Sequence, residues 1–139
     1  MSYSNTFIRV AADCPVETGT VPVTAKLQPP AHIIQYELLM DNPYRFTHEE
    51  LLYEVHVRHK QIPEEERSAR KAEIWDGLFS KNHPCLRASM LPKRYGWGVH
   101  FDADGEIAIY GKESPEYDRF TSGADSGLTL LNAMRSKRS

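Results

Sequence analysis

The sequence predicts an α+β fold: a small antiparallel sheet packed on one face by several helices. Three observations predict it. Residues 97–111 form two apolar-rich segments on either side of Asp104-Gly105, which marks a hairpin. Thr6–Ala11 reads as another strand; two strands alone would be marginal, so it is expected to join them. Between these β segments lie helical stretches over residues 31–40, 47–62 and 63–79. A chain of 139 residues, 40% hydrophobic and 26% charged, suits one domain over 1–139 that buries its core without a staple.

Asp13-Cys14-Pro15 ends the first strand. Residues 15–30 hold four prolines and little periodicity, which predicts a surface loop or extended arm. Ile33, Ile34, Tyr36 and Leu38 follow Pro29-Pro30 without a breaker and predict a short helix that stops at Asn42-Pro43. Thr47 and Glu50 have capping-box spacing: the hydroxyl takes one free N–H at the helix start and the carboxylate takes another. Leu51, Leu52, Val55 and His59 are expected on one side of that helix, and Glu54 can pair with Arg58 one turn on. Ile62-Pro63 breaks the run, and Pro63 opens a third helix whose Glu64, Glu65 and Glu66 suit the dipole at its start. Ile74, Trp75, Leu78 and Phe79 are expected to be its buried end. His83-Pro84 closes it, and Cys85 to Pro92 is ambiguous between elements.

Side chains decide the hairpin register. A two-residue turn at Asp104-Gly105 would put Ile107 opposite Asp102 and split the apolar residues between faces. A three-residue loop pairs Phe101 with Ile107 and Val99 with Ile109, so that Trp97, Val99, Phe101, Ile107 and Ile109 share one face. This second register is predicted, with Gly105 left-handed and Tyr110 placed to cover Gly98 across the strand. Ser114-Pro115-Glu116 opens a short helix through Phe120. Gly123 to Gly127 reads as a loop, Leu128 to Met134 as a last helix, and Arg135, Lys137 and Arg138 as a frayed basic tail.

The net charge of −2 disfavours a nucleic-acid partner, because broad phosphate contact needs a basic surface. No stretch approaches the ~20 apolar residues of a membrane helix. The N-terminal residues lack the basic start and apolar run of an export signal, so a cytoplasmic setting is expected, with Cys14 and Cys85 both free.

Chemistry-bearing residues fall into two sets. Arg87, Lys93, Arg94 and Tyr95 lie with Trp97 in an acid-free stretch, and His100 lies on the opposite hairpin face. Arginine forks beside aromatic walls suit a carboxylate or phosphate, so these residues predict a binding module for a small anionic ligand or acidic partner. The alternative is an enzyme or metal-binding protein using Cys85 with His56, His59, His83 or His100. The spacing matches no zinc motif, and the plainer account is a small buried thiol with solvated or core-edge histidines. A third account is a structural or interaction protein without a small-molecule site. No cofactor is expected, and Asp102-Ala-Asp104-Gly105-Glu106 is read as a hairpin turn and not as a calcium loop.

Asn5-Thr6-Phe7-Ile8, Asp13-Cys14-Pro15, Tyr36-Glu37-Leu38-Leu39, Pro43-Tyr44, Pro84-Cys85-Leu86-Arg87-Ala88-Ser89, Tyr95-Gly96-Trp97-Gly98 and the closing Ala133-Met134-Arg135-Ser136-Lys137-Arg138 resemble a family of small bacterial proteins of unknown function. The resemblance covers nearly the whole chain. It implies a stand-alone bacterial protein of this length and carries no activity, cofactor or catalytic residue.

Overall fold

The computed structural model describes residues 3–25, 27–123 and 127–135. Strands β1 (Thr6–Arg9), β2 (Trp97–Phe101), β3 (Ile107–Gly111) and β4 (Thr129–Asn132) form one sheet in the order β3-β2-β1-β4. β1 runs antiparallel to β2, with Thr6 opposite Phe101 and Ile8 opposite Val99. The β2–β3 hairpin has the register that burial demands: Phe101 faces Ile107 and Val99 faces Ile109. Gly105 takes φ +78°, and Asp102 Oδ1 accepts the N–H groups of Asp104 and Glu106 at 2.9 Å each, closing the turn.

The last helix expected from the sequence is instead a strand. Residues Thr129–Asn132 pair in parallel with Thr6–Arg9, position by position. A short apolar run cannot declare its own period, and an isolated helix of that length lacks the cooperativity to hold itself. Pairing decides the matter, because β1 has a second edge to satisfy. Leu131 then packs toward the main core and Leu130 toward the opposite face. Lys137 and Arg138 of the expected basic tail, and residues 124–126 of the expected loop, lie outside the described residues.

Helices α1 (Ala31–Asp41), α2 (His48–His59) and α4 (Met90–Arg94) cover one face of the sheet. Ile34, Leu38 and Leu39 from α1, Leu51 from α2, and Leu86 and Leu91 around α4 close over Ile8, Val99, Phe101 and Ile107. Helix α5 (Pro115–Thr121) lies against the other face, so the expected one-sided packing is extended to a second side. There the Phe7 ring stacks on Phe120 at 5.0 Å and meets Tyr117 edge-on at 5.2 Å. This explains Gly98. A Cβ there would lie 2.6 Å from the Tyr117 ring and closer still to Phe7, so these two rings, rather than Tyr110, press on the bare glycine.

Local chemistry accounts for the helix ends. Thr47 Oγ accepts the Glu50 N–H at 3.3 Å, and Glu50 Oε1 accepts the Thr47 N–H at 2.9 Å, completing the capping box. Glu54 and Arg58 pair at 3.6 Å. The buried side of α2 is His48, Leu51, Tyr53 and Val57, whereas Leu52, Val55 and His59 are only half-buried. Helix α3 (Glu64–Phe79) departs most from expectation: Ile74, Trp75, Leu78 and Phe79 are half-buried, and none of its residues is buried. It bends at Arg70 (φ −125°), whose guanidinium bridges Glu66 at 3.0 Å and Glu73 at 2.9 Å. In the ambiguous stretch, a single 3₁₀ turn (Leu86–Ala88) leads to α4, capped by Ser89; Pro92 fits because the first helical turn needs no internal N–H.

Residues 15–25 and 27–30 contain no helix or strand, yet the segment is pinned. Thr20 donates its N–H to the Tyr95 carbonyl at 2.7 Å and accepts the Trp97 indole N–H at 2.8 Å. The outer edge of β3 is also covered, since Tyr44 and Phe46 exchange backbone hydrogen bonds with Ile107.

Candidate functional site

The structure distributes the basic residues over separate places. Arg87 sits in the 3₁₀ turn and its Nε donates to the Asn132 carbonyl at 2.7 Å. Lys93 and Arg94 form the last turn of α4, the first half-buried and the second exposed. Tyr95 caps that helix and stacks its ring on His32 at 5.3 Å. His100 points to the α5 side of the sheet, where its ring stacks on Phe120 at 4.3 Å. Arg87 is thus tied to β4, and His100 is separated from Trp97 by the sheet itself.

Polar side chains converge elsewhere, at the junction of α1, α2 and the 3₁₀ turn. A cavity of about 320 Å³ is lined there by His32 and Gln35 of α1, His48 of α2, and Cys85 and Ser89 on either side of the turn. Its apolar walls include Leu52, Val55, Leu86 and Met90. Among the described residues no carboxylate lines it. Helix spacing delivers these groups: His48, Leu52 and Val55 recur along one side of α2, and His32 and Gln35 lie three apart on α1. Ser89 donates its hydroxyl to Gln35 Oε1 at 2.5 Å while accepting the Leu91 N–H at 3.2 Å, so its rotamer is held from both sides. Burial pulls the His32 imidazole below its ordinary pKa and favours the neutral ring.

A charged group stands behind the thiol. The Tyr3 phenol interacts electrostatically with the side chains of Cys85 and Arg87. Burial, then the Cys85 contact, raises the Tyr3 pKa, and the Arg87 guanidinium opposes them. Arg87 does not line the cavity, and it adjoins the site through its interaction with Tyr3.

The remaining histidines go elsewhere. His56 and His83 line a second cavity with Lys60 and Lys81. His56 is held below its usual pKa by burial and then by these cations and His59. His83 donates through Nε2 to the Leu78 carbonyl at 2.6 Å. His56, His59, His83 and His100, expected beside Cys85, do not line its cavity, whereas His32 and His48 do. Among the described residues, the set of three candidate metal-ligand side chains within 4.8 Å of one another is Asp102, Asp104 and Glu106, and Asp102 is already closing the hairpin.

Sequence reasoning missed His32, Gln35, His48, Ser89 and Tyr3. The stripe His48–Leu52–Val55 was a usable signal, since a histidine in line with apolar residues at helical spacing marks a polar group turned toward the core. Tyr3 had none, because its contact with Cys85 spans the chain.

Comparison with known families places the chain. Residues 1–139 match the model of a family of unknown function, DUF6157, and the chain belongs to that family. No curated protein and no solved structure matches it.

Proposed function

We propose that this family member binds a small anionic molecule, such as a carboxylate or phosphate compound, in the cavity between α1, α2 and the 3₁₀ turn. One observation carries the reading: polar groups from separate segments line one 320 Å³ cavity in which, among the described residues, no carboxylate opposes them. That volume falls at the lower end of the range for small-ligand sites, which combine apolar walls with a few placed polar groups. Desolvating an anion is costly unless donors meet it. His32 and the Gln35 amide supply donors here, the Ser89 hydroxyl holds Gln35 in place, and Arg87 adds positive charge from outside the lining, next to Tyr3. Of the basic set, Arg87 adjoins the cavity without lining it. Lys93, Arg94 and His100 stand outside it, and Tyr95 contributes by stacking on His32.

A second reading is favoured by the shared cavity of Cys85, His32 and His48: thiol chemistry with a neutral histidine as base. Iodoacetamide reactivity of Cys85 that collapses in His32→Gln and His48→Gln would mark it.

The test is an NMR titration of backbone amides with inorganic phosphate and with acetate. Saturable shifts confined to residues 31–35, 48–55 and 85–90, weakened in His32→Leu and Ser89→Ala, are expected. Shifts centred on Lys93 and Arg94, with the cavity silent, would overturn the proposal.

A further inference from the structure

A second site lies on the far side of α2. Helix α3 leaves Ile74, Trp75, Leu78 and Phe79 half-exposed, and between it and α2 opens a cavity of about 620 Å³. Its aromatic wall is Phe46, Tyr53 and Trp75, and its polar rim is Glu50, Glu54 and Asp76. The Trp75 ring packs against Tyr53 at 5.4 Å and against Phe79 at 4.8 Å, so the wall is part of a continuous aromatic row and is held in place.

One cation already occupies this wall. Lys71 Nζ lies 5.6 Å from the centroid of the Tyr53 ring. Among the described residues Lys71 forms no ion pair with the nearby carboxylates. Its ammonium rests on the ring face, as the ring quadrupole favours. The acids are not equally engaged. Glu50 is committed to the helix cap and Glu54 is paired with Arg58, whereas the Asp76 carboxylate makes no hydrogen bond or ion pair among the described residues.

We infer that the α2–α3 cavity binds a small free organic cation, a quaternary ammonium compound, whose poorly hydrated head displaces the Lys71 ammonium from Tyr53. Three features select that chemistry together. The aromatic faces of Tyr53 and Trp75 attract a poorly hydrated cation, and they repel nothing that a neutral hydrocarbon lacks. The carboxylates outnumber the single ammonium, so the charge balance of the cavity favours an incoming cation and rejects an anion. The Lys71 side chain is tethered, flexible and largely solvated, and it leaves without breaking an ion pair. Lys71 is thus a built-in competitor that sets the affinity. This site is independent of the anion cavity, with opposite charge preference and no shared lining residue.

The experiment compares choline with its uncharged isostere 3,3-dimethyl-1-butanol, each titrated against the full chain at fixed ionic strength. The readout is the indole N–H signal of Trp75 in an NMR spectrum. Trp97 is the internal control, because its indole is bonded to the Thr20 carbonyl under the hairpin. Choline is expected to shift Trp75 saturably and leave Trp97 still, with the isostere weaker by roughly two- to thirtyfold, the span of cation–π energies. Lys71→Ala is expected to tighten choline binding, and Asp76→Asn to weaken it. Equal affinity for choline and the isostere would overturn the inference, as would a Lys71→Ala variant that binds choline no better than the parent. Unchanged folding of both variants is checked by the Trp97 signal itself.

Discussion

Tyr44 and His100 meet through a 2.7 Å hydrogen bond from the phenol oxygen to Nδ1, across 56 residues of sequence. The same phenol oxygen lies 2.8 Å from the Tyr110 hydroxyl. Tyr44 reaches them from a left-handed backbone at φ +58°, which costs a non-glycine residue of order 1–3 kcal/mol and persists only where surrounding contacts hold it. Tyr44→Phe should therefore destabilise the protein by about 1 kcal/mol, the usual value of a partly buried hydrogen bond. Urea unfolding at neutral pH checks this.

The same tyrosine gives an alkaline signature. Burial, and then the Tyr110 hydroxyl, raise the Tyr44 pKa far above its ordinary value. Tyr117 is raised as well, again chiefly by burial. Above the unfolded pKa of about 10 the unfolded chain releases a proton that the folded chain keeps, so stability is full below that pH and falls as pH rises. Tyr44→Phe should flatten the decline measured by urea midpoints between pH 9.5 and pH 11. A parallel decline in parent and variant would contradict the assignment.

On the acid side the sign reverses. Burial lowers the pKa of His32 and of His56, so the unfolded chain binds protons that the folded chain refuses. Stability is then present above the unfolded histidine pKa of about 6.5 and is lost as pH falls through it. His32→Gln should reduce the loss between pH 7.5 and pH 5. An anion in the cavity that His32 lines favours the charged imidazole, so acetate, which stays largely ionised, should bind more tightly as pH falls over the same range.

Two glycines predict opposite outcomes. Gly105→Ala forces a side chain into the left-handed region of the hairpin turn and should cost about 1–2 kcal/mol. Gly77 lies inside α3 with open space around it, so Gly77→Ala should stabilise by roughly 0.5–1 kcal/mol. Denaturant midpoints at unchanged slope measure both. Thr47→Ala should cost about 1 kcal/mol through loss of the helix cap.

What the sequence made legible follows from range. The capping box, Gly105 and the 97–111 register are settled by neighbours a few residues apart, and all three appear as expected. Strand β4 was illegible because its conformation is decided by β1, at the other end of the chain. The site shows the same division. Arg87 and Cys85 stand out as residue types, but their partners Tyr3, His32 and His48 come from three distant segments. The basic run from Arg87 to Arg94 suggested one cluster, whereas the 3₁₀ turn and α4 send its members to different surroundings.

The central claim is that Cys85 lies in an anion-preferring cavity, and the two free thiols allow it to be tested within one molecule. The measurement is the ratio of alkylation rates by iodoacetate, an anion, and iodoacetamide, its neutral counterpart, read at Cys85 and at Cys14 by peptide mass spectrometry. The account predicts a ratio clearly higher at Cys85 than at Cys14, and a fall toward the Cys14 value in Arg87→Gln and in His32→Gln. A ratio at Cys85 equal to or below that at Cys14 would contradict it.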